Sequence, residues 1–152
     1  MARKTFEEKL NDNKDFPKIV QLSDPKQIHR YGGTRMLIAP PLAYDTLMKK
    51  VPSGKVTTTE IIRNKLADRY NADFTCPLTA GIFINIAAGA SYERASNKTP
   101  YWRTLKKDGE LNGKYPEGVE GQKILLELEG HEVIKKGKRY FVKDFEKKIC
   151  EL

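Results

Sequence analysis

Pro100-Tyr101-Trp102-Arg103-Thr104 has the composition of an active-site loop without a nucleophile. The proline restricts the backbone, and two aromatic rings and an arginine follow with no cysteine, serine, histidine or carboxylate among them. Aromatic rings can stack on an unpaired nucleic-acid base, and arginine can bind phosphate. Alternatively, Trp102 is a core residue whose indole N–H finds an internal acceptor, and Arg103 is a structural support. These residue types favour holding a ligand over covalent chemistry.

The two cysteines offer one other route to chemistry. Cys76 and Cys150 lie far apart and outside any CxxC spacing, which argues against a disulfide scaffold and a zinc site, and we expect neither a metal nor a cofactor. Cys76 directly precedes a predicted helix, where the pKa of a thiol falls, so an enzyme built on this thiol is a third hypothesis. Its apolar surroundings favour a packed and inert cysteine instead.

The charge of the chain suggests a polyanionic partner. The 152 residues include 28 lysines and arginines against 20 acidic residues, giving a formal net charge of +8. Nucleic acid is the partner that such a balance favours, and a lysine-rich solvated surface is the alternative. The first residues lack the apolar core of a signal peptide, and no stretch is long enough for a membrane span, so we expect a cytoplasmic, nucleoid-associated protein.

The elements that position these residues begin with a polar extension. We predict that residues 1–35 form an extension with at most one short helix around Thr5 to Leu10, packed over a domain of residues 36–152. Within the domain, the spacing predicts an amphipathic helix over residues 42–51. Thr57 and Glu60 have capping-box spacing and predict a second helix start.

Two further helices and a hairpin complete the pattern. Residues 76–90 carry no charge and are rich in alanine and glycine, so this helix is either a core helix or one pressed closely against a partner. Residues 118–129 predict a helix with Ile124, Leu125 and Leu128 buried and Gly130 as its left-handed C-cap.

Residues 131–145 predict a basic hairpin that turns at residues 135–138. The order of helix, turn, helix and hairpin predicts a mainly α fold with a small β-hairpin, a winged helix-turn-helix domain that follows an N-terminal extension.

In the helix that follows Thr57, we expect Ile62, Leu66 and Tyr70 to form the buried stripe.

Several motifs in this order resemble one family. VPSGKVTT (51–58), PYWR (100–103), GEL (109–111) and LLELEGH (125–131), with Lys123, resemble the DNA-binding domain of the O6-alkylguanine-DNA alkyltransferases over residues 36 to 135. That family has Pro-Cys-His-Arg-Val at the PYWRT position, and its cysteine takes the alkyl group from a flipped guanine. The resemblance therefore implies an alkyltransferase-like protein, a kind that binds alkylated DNA without repairing it and attracts nucleotide excision repair.

Tyr101 stands in place of the family's cysteine and Trp102 in place of its histidine. A phenol without a base is a far weaker nucleophile than a thiolate, so we expect no methyltransferase activity. The resemblance also implies a recognition helix in the minor groove of double-stranded DNA, including O6-alkylguanine-containing DNA, and a monomer. It implies a base pocket formed by Pro100, Tyr101, Trp102 and Glu129, in which Glu129 accepts a hydrogen bond from the Trp102 indole or a neighbouring arginine.

The DNA-contacting residues that follow from the resemblance lie on the two helices of the pair and on the loops beside them. They are Thr57, Thr58, Thr59, Thr75, Cys76, Leu78, Thr79, Ala80, Gly81, Arg103, Lys106, Lys107 and Lys114. The lysines of the predicted hairpin turn are further candidates for phosphate contacts.

Two departures from the family pattern leave a second hypothesis open. Gly81 stands where the family inserts an arginine into the base stack, and Thr59 stands where it has a tyrosine that helps to rotate the nucleotide. A general winged-helix nucleic-acid binder, regulatory or architectural and without lesion preference, would need neither residue. Affinity for alkylated against plain duplex separates the two hypotheses.

Overall fold

The structure, a computed structural model, describes residues 5–152. The first four residues of the predicted extension lie outside this range. The described helices are α1 (Phe6–Leu10), α2 (Pro25–Tyr31), α3 (Pro41–Met48), α4 (Thr59–Arg69), α5 (Pro77–Glu93) and α6 (Gly118–Leu128). The strands are β1 (Lys18–Gln21), β2 (Arg35–Ile38), β3 (Thr57–Thr58), β4 (Phe74–Thr75), β5 (Thr104–Leu105), β6 (Val133–Lys136) and β7 (Arg139–Val142), and 3-10 turns cover Tyr101–Arg103 and Phe145–Lys148.

The N-terminal segment has more regular structure than the sequence suggested. Helix α1 is confirmed, and Thr5 and Glu8 form its capping box. The prediction of at most one helix is wrong, because β1 pairs antiparallel with β2 and α2 follows β1 with Asp24 as its N-cap. Strand β2 also pairs with β4 in parallel, so the segment shares a sheet with the rest of the chain. The domain boundary after residue 35 stays a prediction.

Helix α5 is the central element of the larger core. It begins at Pro77, whose missing N–H costs nothing in the first turn, and it contacts α1, α3 and α4. Its buried side carries small residues, including Ala87, Ala88 and Ala90, so the neighbouring helices approach it closely. The predicted helix is confirmed and runs three residues further than expected, to Glu93.

Helix α4 starts differently from its prediction. Thr58, not Thr57, is the N-cap, and its hydroxyl accepts a hydrogen bond from the Ile61 N–H at 3.2 Å. Thr57 lies in β3, which pairs in parallel with β5 and leaves Thr57 fully buried. Of the predicted buried stripe, Ile62 and Leu66 are buried, but Tyr70 is 39% exposed because it lies where the helix ends.

Helix α6 turns a different face to the core than we expected. Ile124 and Leu128 are 58% and 78% exposed, so their predicted burial is wrong. The core instead takes Leu126 and Gln122, because Gln122 accepts a hydrogen bond from the Asn112 N–H and donates one to the Trp102 carbonyl. Leu125 is partly buried, between the core face and the solvent-exposed face of the helix.

The end of α6 and the hairpin follow the predicted pattern. Gly130 has φ +89°, the left-handed conformation expected after a helix, and β6 pairs antiparallel with β7 around Gly137. Arg139 binds Glu110 through two hydrogen bonds of 3.0 and 2.7 Å, which fastens the hairpin to the loop before α6.

The fold is helix-rich with three small sheets, in agreement with a mainly α prediction that missed two of the sheets. Within residues 5–152, no helix combines the length and apolar character needed to span a bilayer. In the same part of the chain, no three side chains of His, Cys, Asp or Glu are grouped closely enough to hold a metal ion.

Candidate nucleic-acid interface

An apolar ridge runs along the exposed side of α5. It consists of Leu78, Gly81, Ile82 and Asn85, and Leu78 and Ile82 are 73% and 49% exposed. These four residues share one face because three- and four-residue steps return to the same side of a helix. Large apolar side chains in solvent on a recognition-type helix indicate a surface that meets a partner.

A cleft of about 350 Å³ lies along one side of this ridge, and we call it the first cleft. Arg63 of α4 and two loop lysines, Lys106 and Lys114, place three cations around it. Six of the predicted DNA contacts meet there: Thr59, Leu78, Ala80, Gly81, Lys106 and Lys114. Arg63 was missed, although its position four residues after Thr59 places it on the same face of α4.

Other predicted contacts lie inside the protein. Thr57, Thr58 and Thr75 are at most 3% exposed, so their side chains cannot reach a phosphate and their predicted role is wrong. Thr58 caps α4, and Thr75 donates a hydrogen bond to the Arg63 carbonyl at 2.8 Å. Ala80 is also buried, at 1% exposure, although it lines the first cleft.

Three predicted contacts are at least partly exposed outside that cleft. Cys76 is half-buried at the N-cap of α5, and its N–H donates to the Leu37 carbonyl. Thr79 is half-buried and donates a hydrogen bond to the Cys76 carbonyl at 3.4 Å. Lys107 is exposed and lies 3.7 Å from a Glu60 carboxylate oxygen.

The loop before the PYWR sequence is fixed by buried hydrogen bonds. The Thr99 N–H donates to the Ser91 hydroxyl at 2.9 Å, and this hydroxyl donates to the Thr99 carbonyl at 2.7 Å. The Thr99 hydroxyl in turn donates to the buried Asp45 carboxylate. Because these bonds tie the loop to α5 and α3, the position of the following residues is set by the core.

Arg103 supports the structure and is not free for phosphate. Its Nε and Nη2 donate to the Glu129 carboxylate, and its Nη1 donates to the Val51 carbonyl at 2.8 Å. Its assignment as a DNA contact is therefore wrong, and the predicted arginine partner of Glu129 is confirmed. Burial is the largest single influence on the pKa of Glu129 and acts to raise it, but the hydrogen bonds and charge of Arg103, with smaller contributions from Trp102 and the Gly54 backbone, together lower this pKa.

Tyr101 is enclosed by other rings. Its side chain makes edge contacts with Trp102 and Tyr115 at centroid distances of 5.4 and 5.3 Å, and the residue is 6% exposed. Tyr101 therefore has no open face for a stacked base, contrary to the expected role. Burial raises the pKa of its hydroxyl, and the nearby groups Glu117 and Tyr92 raise it further.

Trp102 packs against the larger core around α5 and against a second, smaller hydrophobic cluster of the described residues. Pro100, two residues before it, is half-buried. The Trp102 side chain contacts the Arg103 guanidinium at 5.3 Å from the ring centroid. Its indole N–H is buried and meets no acceptor in hydrogen-bonding geometry within the described residues, although it acts to lower the pKa of Glu129. Trp102 therefore packs as a core residue, which was one of its two predicted roles. The hydrogen-bond acceptor that this role predicted for its indole N–H is not found among the described residues.

A second cavity of about 450 Å³ adjoins the first cleft, and we call it the side pocket. It shares Asn85 and Lys114 with the first cleft, and its other walls include the rings of Phe6 and Tyr92. The Tyr92 hydroxyl donates to Glu117 at 3.1 Å and so fixes one ring beside the cavity. Sequence reasoning missed this pocket because Phe6 reaches it only through the tertiary packing of α1 on α5.

Comparison with solved structures places the chain among known folds. The crystal structure of S. pombe Atl1 in complex with damaged DNA containing O6-carboxymethylguanine aligns with a TM-score of 0.52 at 18% identity, covering 74% of this chain and 94% of that one. A structure of S. pombe ATL in complex with DNA gives the same TM-score and coverage at 20% identity. The chain therefore shares the fold of these alkyltransferase-like proteins. It matches no protein-family model and no curated protein.

Proposed function

We propose that this chain is a non-enzymatic protein that binds double-stranded DNA through the ridge of α5 and prefers alkylated or distorted duplex. The observation that carries this proposal is the exposed apolar ridge beside the cations of the first cleft. The chain order of α4, α5 and the later β6–β7 hairpin is the order expected of a winged helix, in which the second helix of the pair enters a groove. The shared fold with Atl1, solved on DNA containing O6-carboxymethylguanine, supports the proposed lesion preference.

One glycine flanked by two apolar side chains suits the ridge to the minor groove. This groove is only about 6 Å wide, so a helix enters it when its side chains are small or can wedge between bases. Gly81 lets the backbone approach the groove walls, and Leu78 and Ile82 supply apolar contacts. Arg63, Lys106 and Lys114 then lie beside the phosphates that border the groove.

The side pocket is the place for an extruded base. Its volume is in the range of small-ligand sites, and Phe6 and Tyr92 supply aromatic surface for a flipped base. Lys114 and Asn85 line both this pocket and the first cleft, so a nucleotide can pass from the groove to the pocket without crossing the protein. The enclosed Tyr101 does not line this pocket.

The state of the Tyr101 side chain argues against alkyl transfer. The Tyr101 hydroxyl has a raised pKa, so it is a neutral phenol at physiological pH and a poor nucleophile. A protein that holds a lesion without removing it leaves the repair to others. Nucleotide excision repair proteins are the partners that the family resemblance implies for this role.

One observation favours the second candidate, a winged-helix DNA binder without lesion preference. Gly81 is exposed on the ridge and has no side chain to replace an extruded base in the stack. Equal affinity for a plain duplex and for the same duplex with one O6-methylguanine would support this candidate and contradict lesion preference.

The ridge is tested by a matched pair of substitutions. Leu78→Asp on the ridge and Leu128→Asp on α6 change side chains of 73% and 78% exposure, so neither should disturb folding. We expect Leu78→Asp to weaken duplex binding at least about ten-fold, because it replaces an apolar contact with a carboxylate that faces the phosphates. Leu128→Asp should bind as the wild type does. Equal effects of the two variants in a fluorescence anisotropy titration would contradict the assigned surface.

A further inference from the structure

A second cleft, of about 390 Å³, runs along the opposite side of the α5 ridge. The N-terminal segment forms its outer wall with Lys9, Asp12, Lys14 and Phe16. Ile82 lines both this cleft and the first cleft, so the ridge separates the two. The ridge therefore has a wall on each side, and one of these walls comes from residues before the predicted domain.

The N-terminal wall is fastened firmly to α5. Phe6 covers Gly89 so closely that a Cβ atom there would meet the phenyl ring. The Glu93 carboxylate accepts hydrogen bonds from the N–H groups of Phe6 and Glu7, at 3.4 and 3.2 Å. Arg94 binds Glu7 at 2.9 Å. These contacts hold α1, and hence Lys9, at a defined place beside the ridge.

Cations lie on both sides of the ridge. Lys9 and Lys14 belong to the second cleft, and Arg63, Lys106 and Lys114 belong to the first. Asp12 is the one acidic residue that lines the second cleft, and its Oδ1 accepts a hydrogen bond from the Lys14 N–H at 3.3 Å. Two lysines against one carboxylate give the cleft-lining residues of this wall a net charge of +1, and Glu7, Glu8 and Asp15 of the same segment lie outside the lining.

We propose that residues 5–16 form part of the DNA interface, with Lys9 and Lys14 contacting the phosphates on the far side of the groove that receives α5. A minor groove has a phosphate backbone along each edge, and a helix seated in it has one backbone on each side. The first cleft supplies cations for one backbone only. This inference rests on the proposed function, because it assigns the second strand of the same duplex.

Salt dependence measures the number of phosphate contacts. The slope of log K against log[salt] changes by about 0.9 for each contact on B-form DNA, so losing two contacts lowers its magnitude by about 1.8. Three variants compare equal charge changes: Lys9→Gln with Lys14→Gln, Lys106→Gln with Lys114→Gln, and Lys50→Gln with Lys55→Gln as control. Lys50 and Lys55 are exposed and line none of the three cavities.

We expect the slope to fall by about 1.8 in each of the first two variants and by clearly less in the control, with the thermal midpoint of all three unchanged. A wild-type slope in the Lys9 and Lys14 variant, with the slope of the Lys106 and Lys114 variant lowered, would overturn this inference and leave the proposed function standing. A fall in the control equal to that of the Lys9 and Lys14 variant would also overturn it. A wild-type chain that does not bind duplex would overturn the proposed function itself.

Discussion

Tyr101 and Trp102 lie where the sequence resemblance implies the cysteine and histidine of the alkyltransferases, and both rings contribute to packing. Tyr101 closes a ring cluster with Trp102 and Tyr115, and the Tyr115 hydroxyl donates to the Thr104 carbonyl at 2.8 Å. The shape of the loop is set by its hydrogen bonds to the core, and Tyr101 is a poor nucleophile because a buried phenol resists ionisation.

Incubation with alkylated DNA tests whether the protein accepts an alkyl group. We expect the intact mass of the protein to stay unchanged after exposure to a duplex containing O6-methylguanine, because the raised pKa keeps Tyr101 protonated and Cys76 lines neither the first cleft nor the side pocket. Intact-protein mass spectrometry reads the result. A gain of one methyl group, located by peptide mapping at Tyr101 or Cys76, would contradict it.

The ion pair between Arg103 and Glu129 is the strongest stabilising contact behind this loop. Both side chains are largely buried, at 15% and 12% exposure, so Arg103→Met leaves a carboxylate without its partner. We expect a loss of about 3 kcal/mol in the free energy of unfolding, measured by urea denaturation at pH 7. Arg139→Met is the control, because this bidentate pair with Glu110 involves a 58% exposed arginine and should cost about 1 kcal/mol or less.

The ion pair between Arg103 and Glu129 makes the stability of the protein depend on pH. The pKa of Glu129 is lower in the folded protein than the value of about 4.3 in an unfolded chain, so its contribution is present above that value and is lost as the pH falls through the folded pKa. Glu129→Gln should therefore reduce the acid-induced loss of stability. An unchanged pH profile in this variant would contradict the assignment.

Among the elements, α5 shows how far composition carries a prediction. An uncharged, alanine-rich sequence predicted either a core helix or one pressed against a partner, and in the structure α5 has one buried face and one exposed apolar face. Ala87 and Ala88 face the core, while Leu78 and Gly81 face solvent. Periodicity could not separate these faces, because apolar residues occupy all sides of this helix.

Helix α6 shows where periodicity misleads. An apolar stripe of Ile124, Leu125 and Leu128 predicted the buried side, yet the core takes Gln122, which no apolar pattern selects. Its amide joins Asn112 to Trp102, and this bridge outweighs the burial of Ile124. A polar side chain enters a core when its hydrogen bonds are satisfied there, and only tertiary structure reveals the partners.

The N-terminal strand escaped prediction for a related reason. Strand β1 has four residues and pairs only with β2, so its stability comes from a neighbour that follows fourteen residues later. Short strands carry weak local signals, and their existence depends on such pairing. The side pocket could not be predicted for the same reason, because Phe6 and Tyr92 meet only in the folded chain.

The junction of α1 with α5 can be tested by paired substitutions. Gly89→Ala should destabilise the wild type by about 1 kcal/mol, because the new Cβ displaces Phe6. In a Phe6→Ala background the same change should stabilise by about 1 kcal/mol, since alanine favours a helix over glycine. Urea denaturation of the four proteins gives the cycle, and equal effects of Gly89→Ala in both backgrounds would contradict the packing described.

For the whole molecule, a formal net charge of +8 is compatible with binding a polyanion but does not locate the surface. Our proposal places it along α5, because three cations of the first cleft and two of the N-terminal wall border this helix. Two of the arginines elsewhere are paired with acids, Arg103 with Glu129 and Arg139 with Glu110. Charge counting predicted the class of partner, and folding decided which charges are available to it.

Chemical-shift mapping of the amide groups, with a plain duplex and with one that contains O6-methylguanine, tests the central claim most directly. At low ionic strength we expect both duplexes to shift the amides along the exposed side of α5 and in the loop of residues 106–114. The modified duplex should bind more tightly and also shift residues of the side pocket, Tyr92 among them. If both duplexes leave α5 and this loop unmoved, the chain does not bind DNA through this surface.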